Sequence, residues 1–147
     1  MLKIISGFPG IGKTFYKDNS NLNILDSDSS KFSWIEKGVR NPKFPKNYID
    51  HIKDSMYKFD MVLVSTHKIV RDALVDNNIN FLLVYPDISL KEEYIERFRK
   101  RGNEDSFVKL FEDNWDKFIG EMDNQKGCES VKLSSGRFLS TMFLGFY

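Results

Sequence analysis

The stretch Ile5–Phe15, ISGFPGIGKTF, decides the fold. An apolar run from Leu2 to Ser6 enters a glycine-rich turn, and a segment of helical character leaves it from Gly12 to about Asp18. Between them Gly7-Phe8-Pro9-Gly10-Ile11-Gly12-Lys13-Thr14 has the spacing G-x-x-x-x-G-K-[ST], in the strand-to-helix context that this spacing requires. Phosphate oxygens need several donors converging on one small volume. Successive backbone N–H groups in a glycine-rich turn at a helix N-terminus supply them. Lys13 would neutralise the β and γ phosphates of a nucleotide, and the Thr14 hydroxyl would complete the shell of a magnesium ion held by them. The candidate nucleotide-binding residues are therefore Gly7, Gly10, Ile11, Gly12, Lys13, Thr14 and Phe15. The alternative is an ordinary strand-to-helix turn.

Outward from this turn, short apolar runs alternate with helical patterns. Asn23 to Asp26 reads as a second strand ending in the polar run DSDSS, and Met61 to Val64, MVLV, as a buried strand followed by STH. Phe81 to Tyr85 reads as a fourth strand and Glu129 to Leu133 as the last. Between Lys37 and Lys46, Gly38, Asn41-Pro42 and Pro45 mark a loop, with Pro45 suited to a first helical turn. Helical spacing follows through Tyr48, Ile49, Ile52, Met56 and Phe59, and again over Ile69 to Val75. Ser89-Leu-Lys-Glu92 has the pattern of a capping box and predicts a helix from Leu90 to Arg101, closed by Gly102. Phe107, Val108, Phe111, Trp115, Phe118, Ile119 and Met122 form a wide apolar stripe that should pack on the sheet. The segment Phe138 to Tyr147 is a short apolar tail. Strands alternating with helices predict an α/β fold with a mainly parallel five-stranded sheet and helices on both faces. Sites in such sheets lie at the carboxyl ends of the strands, which here carry GFPGIGKT, DSDSS, STHK, YPD and LSSG.

Composition bounds the partners. The 147 residues suit one domain, residues 1–147, and 13 phenylalanines make its core bulky and aromatic. A net charge of +1 provides no global attraction to nucleic acid or to a membrane surface, so any anion must be held by a local set of donors. A single cysteine, no apolar run of membrane-spanning length and no leader-like N-terminus predict a cytoplasmic protein without a membrane.

SGFPGIGKT resembles the Walker A turn of the nucleoside monophosphate kinase-like P-loop proteins, which include adenylate, gluconate and adenylylsulfate kinases. The order of elements follows that group over nearly the whole chain. The resemblance implies a three-layer P-loop NTPase fold with a short helical lid at about residues 97–106. One difference is Phe15, where these kinases usually carry a second Ser or Thr. ILDSDSSKF resembles their Asp-x-Asp at the end of strand two, which implies that Asp26 and Asp28 face the acceptor hydroxyl. Either carboxylate could orient that hydroxyl, take its proton or hold water on magnesium. An Asx-rich turn bonding its own backbone is the other reading. No acid stands at the end of the third strand, where Ser65, Thr66 and His67 follow.

THKIVRDAL is similar to the segment in which an arginine reaches the acceptor anion, which implies that role for Arg71; a surface arginine is the even alternative. ERFRKRGNEDSF resembles the lid entry, with Arg97 and Arg101 on one helical face, where they would stabilise the charge of a phosphoryl group in flight. The competing reading is a solvated helix with Glu93–Arg97 and Glu96–Lys100 pairs. KLSSGRF matches in position a loop that meets the adenine, which implies Ser135 and Gly136 there; a plain turn is the even alternative.

Together these features predict ATP- and Mg2+-dependent phosphoryl transfer to a small-molecule acceptor, first among them a nucleoside monophosphate or deoxynucleotide. Lys13, Asp26, Asp28, Arg97 and Arg101 are the catalytic candidates, Asp26, Asp28 and Arg71 the acceptor-side ones and Thr14 the metal ligand. Two alternatives stand beside this: a polynucleotide 5′-kinase, and a non-catalytic protein that binds or sequesters a nucleotide. The compact size and Asn/Lys/Phe-rich composition also look like those of small kinases carried by bacterial viruses.

Overall fold

The computed structural model describes residues 2–144, with side chains to residue 142; the last residues of the apolar tail lie outside the described residues. Five strands form one parallel sheet: β1 (Ile4–Gly7), β2 (Ile24–Asp26), β5 (Met61–Val64), β6 (Leu82–Pro86) and β7 (Glu129–Leu133), in the spatial order β2-β5-β1-β6-β7. The three central strands are buried along their whole length, and their sequences IISG, MVLV and LLVYP are correspondingly apolar on both faces. The edge strands alternate instead. β7 is exposed at Glu129, Ser130 and Lys132 and buried only at Leu133.

Helices α1 (Lys13–Asn19), α3 (Lys46–Ser55), α4 (Lys68–Asp76), α5 (Lys91–Lys100) and α6 (Asp105–Asp123) join the strands. From β1 the chain crosses leftward over β5 to β2, and every later crossover runs the other way. Right-handed crossovers then put α1 on one face and α3, α4 and α6 on the other. Contacts agree: α1 packs on the C-terminal helix α7 (Leu139–Leu144), and α3 packs on α4. The reversal between β1 and β5 leaves a crevice at their carboxyl ends. Ser6 bridges it, donating its hydroxyl to the Ser65 carbonyl at 2.9 Å.

Several local expectations are revised. The Ser89–Glu92 capping box does not form; Asp87 accepts from the Ser89 amide and hydroxyl instead, starting a 3-10 turn at Ile88–Leu90 before α5 begins at Lys91. A single turn, α2 (Ser30–Ser33), and a small antiparallel hairpin of β3 (Trp34–Glu36) and β4 (Val39–Arg40) occupy the region that carries no periodic signal. Arg40 lies over the Trp34 ring at 4.0 Å, which gives the exposed hairpin a local contact. Pro45 precedes α3 at its cap position, after a cis peptide bond with Phe44. The described part of the apolar tail is helical over Leu139–Leu144, and the Leu139 amide donates to the Ile11 carbonyl at 2.8 Å, docking α7 behind the glycine-rich turn.

The core explains how that turn is held. Phe8 is 1% exposed, and its ring meets Tyr94, Phe111 and Trp115 edge-on at 5.9, 5.4 and 5.6 Å. Such pairs contribute about 0.5–1.5 kcal/mol each beyond their burial. A phenylalanine in the middle of a glycine-rich loop thus fastens the loop to α5 and α6.

Candidate active site

The glycine-rich loop owes its course to two residues in the left-handed region. Gly10 and Gly12 both have φ of 86°, and Gly12 is the residue from which α1 starts. A side chain at Gly10 would be strained in backbone and would stand 3.1 Å from the Phe98 ring. Lys13 folds back so that its Nζ donates to the Gly7 carbonyl at 2.9 Å. Burial lowers the Lys13 pKa from its ordinary value; Asp26 and Asp28 act against that shift and Arg101 adds to it. Lys13 is therefore a desolvated cation with no carboxylate of a described residue in contact, a group that gains by receiving an anion.

A cleft of about 1060 Å³ opens on this lysine. It takes in Gly7, Gly10, Gly12, Lys13, Thr14 and Phe15 from the loop, Asp26 from the end of β2 and Asp28 from the turn after it, Arg71 from α4, Arg97 from α5 and Arg101 from the cap that closes α5. Ile11 is not on its wall: the side chain is fully buried in the core, and its carbonyl holds α7. Ser135 and Gly136 also stand apart from it. The Ser135 hydroxyl and the Gly136 amide both donate to Glu93, whose carboxyl is held below its usual range mainly by the Ser135 contact. Phe15 is 60% exposed.

The two aspartates, which sequence alone leaves unranked, differ in the structure. Asp28 Oδ1 accepts from the Ser30 amide at 2.9 Å, the Asx turn that opens α2. Asp26 ends β2 with no hydrogen bond to another described residue. The segment between them is tied down from behind. Tyr48 donates its hydroxyl to the Ser27 carbonyl at 2.6 Å and accepts from the Ser65 amide at 3.4 Å. Burial pushes the Tyr48 phenol up to about 12. Ser65 donates to the Ser29 hydroxyl at 2.9 Å. The position after β5 that carries no acid therefore serves to fasten the aspartate loop. His67 lines the cleft and does not cap α4 with its side chain. Desolvation lowers its pKa, against the pull of Asp28, so the imidazole is neutral at pH 7.

The three arginines differ from one another. Arg97 is clamped: Nη1 donates to the Gly10 carbonyl at 2.9 Å, Nη2 to Glu93 at 2.9 Å, and the guanidinium lies over the rings of Tyr94 and Phe138 at 4.3 and 4.2 Å. The Glu93–Arg97 pair of the solvated-helix reading is thus present, but it braces the loop rather than facing solvent. Arg101 is less engaged, donating Nε to Asn103 Oδ1 at 3.1 Å, and burial lowers its pKa. Arg71 is 2% exposed. Its Nε donates to the Thr66 carbonyl at 2.9 Å, Nη1 reaches Gln125 Oε1, and Glu121 stands 4.0 Å from Nη2.

One wall of the cleft has no counterpart among the sequence candidates. Phe107, Leu110, Phe111, Phe118 and Met122 of α6 line it, with Glu121 among them. The signal was in the width of the α6 stripe. At 3.6 residues per turn Val108, Trp115 and Ile119 form one row and Phe107, Phe111 and Phe118 the next, a span of about 120°, and Leu110 on the far side widens the apolar surface to roughly half the helix. A single packed face needs less.

Among the described residues no three His, Cys, Asp or Glu side chains converge on one point that could hold a metal. A divalent ion here would take the Thr14 hydroxyl and otherwise phosphate and water. Compared with known proteins, the chain matches no family model and no curated sequence.

Proposed function

We propose that the chain is a small phosphotransferase with a P-loop NTPase architecture, which moves the γ-phosphoryl group of ATP, with Mg2+, to the hydroxyl of a small acceptor. One observation carries the reading: a desolvated Lys13 in a glycine-rich loop shares a single cleft with the Asp26 carboxylate, which acts on it through its charge and makes no hydrogen bond to another described residue.

Bound ATP would supply the activated phosphoryl group, and the chain's residues do the rest. The loop amides and Lys13 hold the phosphates, and Thr14 supplies one ligand to the metal. Arg97 keeps the Gly10 carbonyl occupied, and so fixes the loop. Asp26 orients the acceptor hydroxyl and receives its proton as the new O–P bond forms and the bond to the departing ADP oxygen breaks. Arg101, near enough to act on Lys13, stabilises charge spread over the moving group. The apolar α6 wall favours a compact acceptor over a nucleic-acid strand, which would want a basic track.

A second reading, nucleotide binding without transfer, draws on one observation, the serine that stands at the end of β5 where an acid would hold magnesium through water. Calorimetric titration with a non-hydrolysable ATP analogue and Mg2+, followed by an ADP-release screen over small alcohols, nucleosides and nucleotides, separates the two. Binding with acceptor-stimulated release establishes the phosphotransferase. Binding with no release on any acceptor establishes the second reading, and absence of binding removes both.

A further inference from the structure

The aspartate loop and the turn after β5 are fastened to one another, and the fastening sets three neutral polar residues together on the cleft. The Ser65 hydroxyl donates to the Ser29 hydroxyl at 2.9 Å, and Tyr48 joins the Ser27 carbonyl to the Ser65 amide. Ser30 follows Ser29, and Thr66 and His67 follow Ser65, so the bonded pair brings these three residues side by side. All three line the cleft, as Asp26 and Asp28 do. Asp28 supports the same placement: it accepts from the Ser30 amide, and after desolvation its charge is the strongest influence on the His67 imidazole.

The fold uses none of these three side chains for hydrogen bonding among the described residues. Ser30 and Thr66 engage through backbone atoms alone: the Ser30 amide goes to Asp28, and the Thr66 carbonyl accepts from Arg71. Neither hydroxyl makes a hydrogen bond to another described residue. Nor does the His67 imidazole, which stands at the N-cap position of α4 without capping it. Their chemistry is shared. A hydroxyl both donates and accepts, and a neutral imidazole carries one N–H and one bare nitrogen, so each pairs best with a group that does both. An alcohol hydroxyl is such a group. The Asp26 carboxylate only accepts, which suits the one hydroxyl that gives up its proton; the neutral set suits hydroxyls that keep theirs.

We infer that Ser30, Thr66 and His67 form a second anchoring point of the acceptor site, one that holds non-reacting hydroxyls, and that the acceptor is a polyhydroxy compound, either a free sugar or the ribose of a nucleoside. This rests on the phosphotransferase reading and assigns the part of the acceptor that Asp26 does not hold.

The test uses the full chain with Mg2+ and a non-hydrolysable ATP analogue, titrated calorimetrically with ribose, glucose, glycerol, adenosine, guanosine, cytidine and uridine. At least one of these should bind, and Thr66→Val and His67→Ala should each weaken it by about three- to tenfold, the loss that one hydrogen bond gives. Affinity for the ATP analogue should not change in either variant. Both should melt as the wild type does, because neither side chain is hydrogen-bonded to a described residue. One monodeoxy form of the ligand should reproduce the loss in the wild type and cost little more in the variant that lacks its partner. Ribose binding as tightly as the nucleosides assigns the site to a free sugar, and binding of nucleosides alone assigns it to their ribose. Failure of every compound to bind, or full affinity in both variants, overturns the inference. Transfer of labelled phosphate from ATP over the same compounds tells that failure apart from failure of the phosphotransferase. A ligand that depends on Thr66 and His67 yet receives no phosphate sinks the transfer and leaves the anchoring point standing. Transfer to a compound whose KM is the same in both variants does the reverse.

Discussion

At the scale of single residues, the Lys13 ammonium sits against a carbonyl rather than a carboxylate, and burial holds its pKa below the ordinary lysine value. The sign of the pH effect follows. Phosphate binding needs the protonated form, so nucleotide affinity is full below the folded pKa and falls as pH rises through it, a fall that starts below the usual lysine range. Dissociation constants measured by calorimetry from neutral to alkaline pH should show this decline. Lys13→Arg, which keeps its charge throughout, should flatten it, and Lys13→Ala should lose binding at every pH. An alkaline decline that survives in Lys13→Arg would assign the titration elsewhere. The aspartates make a second comparison. Asp28 already accepts from the Ser30 amide, while the Asp26 carboxylate makes no hydrogen bond to another described residue. Asp26→Asn should therefore cut kcat on the best acceptor by about 100-fold or more with little change in ATP affinity. Asp28→Asn can still accept that hydrogen bond and should cost less. Steady-state kinetics of the two variants decide the order, and the reverse order would make Asp28 the acceptor-side group.

At the scale of elements, α5 behaves as a brace for the glycine-rich loop. Its Arg97 joins the Gly10 carbonyl, Glu93 and the Phe138 ring, and Glu93 in turn holds the turn after β7. Removing a buried partner of this type costs about 1–3 kcal/mol, so Arg97→Ala should lower the melting temperature and weaken nucleotide binding together. Arg101→Ala, whose side chain meets mainly Asn103 and the Phe98 ring, should lower kcat with a smaller effect on stability. Thermal melts and kinetics on the pair test this, and an Arg97→Ala protein with unchanged stability and affinity would deny the brace. These contacts also separate what was legible from what was not. The apolar runs IISG, MVLV and LLVYP and the strand-to-helix loop were readable because burial on both faces and glycine spacing leave local marks. Arg97 was legible as a site residue, but its role was not, since Gly10 lies 87 positions away and nothing local records that pairing. Tyr48 carries a helical spacing in the sequence, yet nothing local records that its hydroxyl reaches across to the Ser27 carbonyl. The 3-10 turn at Ile88–Leu90 was missed for a nearer reason: Asp87 competes with Ser89 for the capping role, and the carboxylate wins.

At the scale of the whole molecule, the cleft gathers its walls from the loop after β1, the ends of β2 and β5, and helices α4, α5 and α6. These pieces are distant in sequence and share one core, in which Phe8 of the loop packs on Tyr94 of α5 and Trp115 of α6. A ligand bound there is lost only when that core opens, so its binding energy should appear in the global unfolding transition rather than in a local one. With a non-hydrolysable ATP analogue and Mg2+ at about 100 times the dissociation constant, the added stability is about 2.7 kcal/mol. For a chain of this size that raises the melting temperature by roughly 5–10 °C. The wild-type transition, followed by circular dichroism and by intrinsic fluorescence from the buried Trp115, should shift as one step with both probes coinciding. In Lys13→Ala the shift should vanish while the unliganded transition remains cooperative, because the lysine makes no ion pair with a described residue and its removal relieves a desolvated charge. A shift of equal size in that variant would place the nucleotide away from the glycine-rich loop, and a shift seen by only one probe would mean that the loop and the core unfold as separate units.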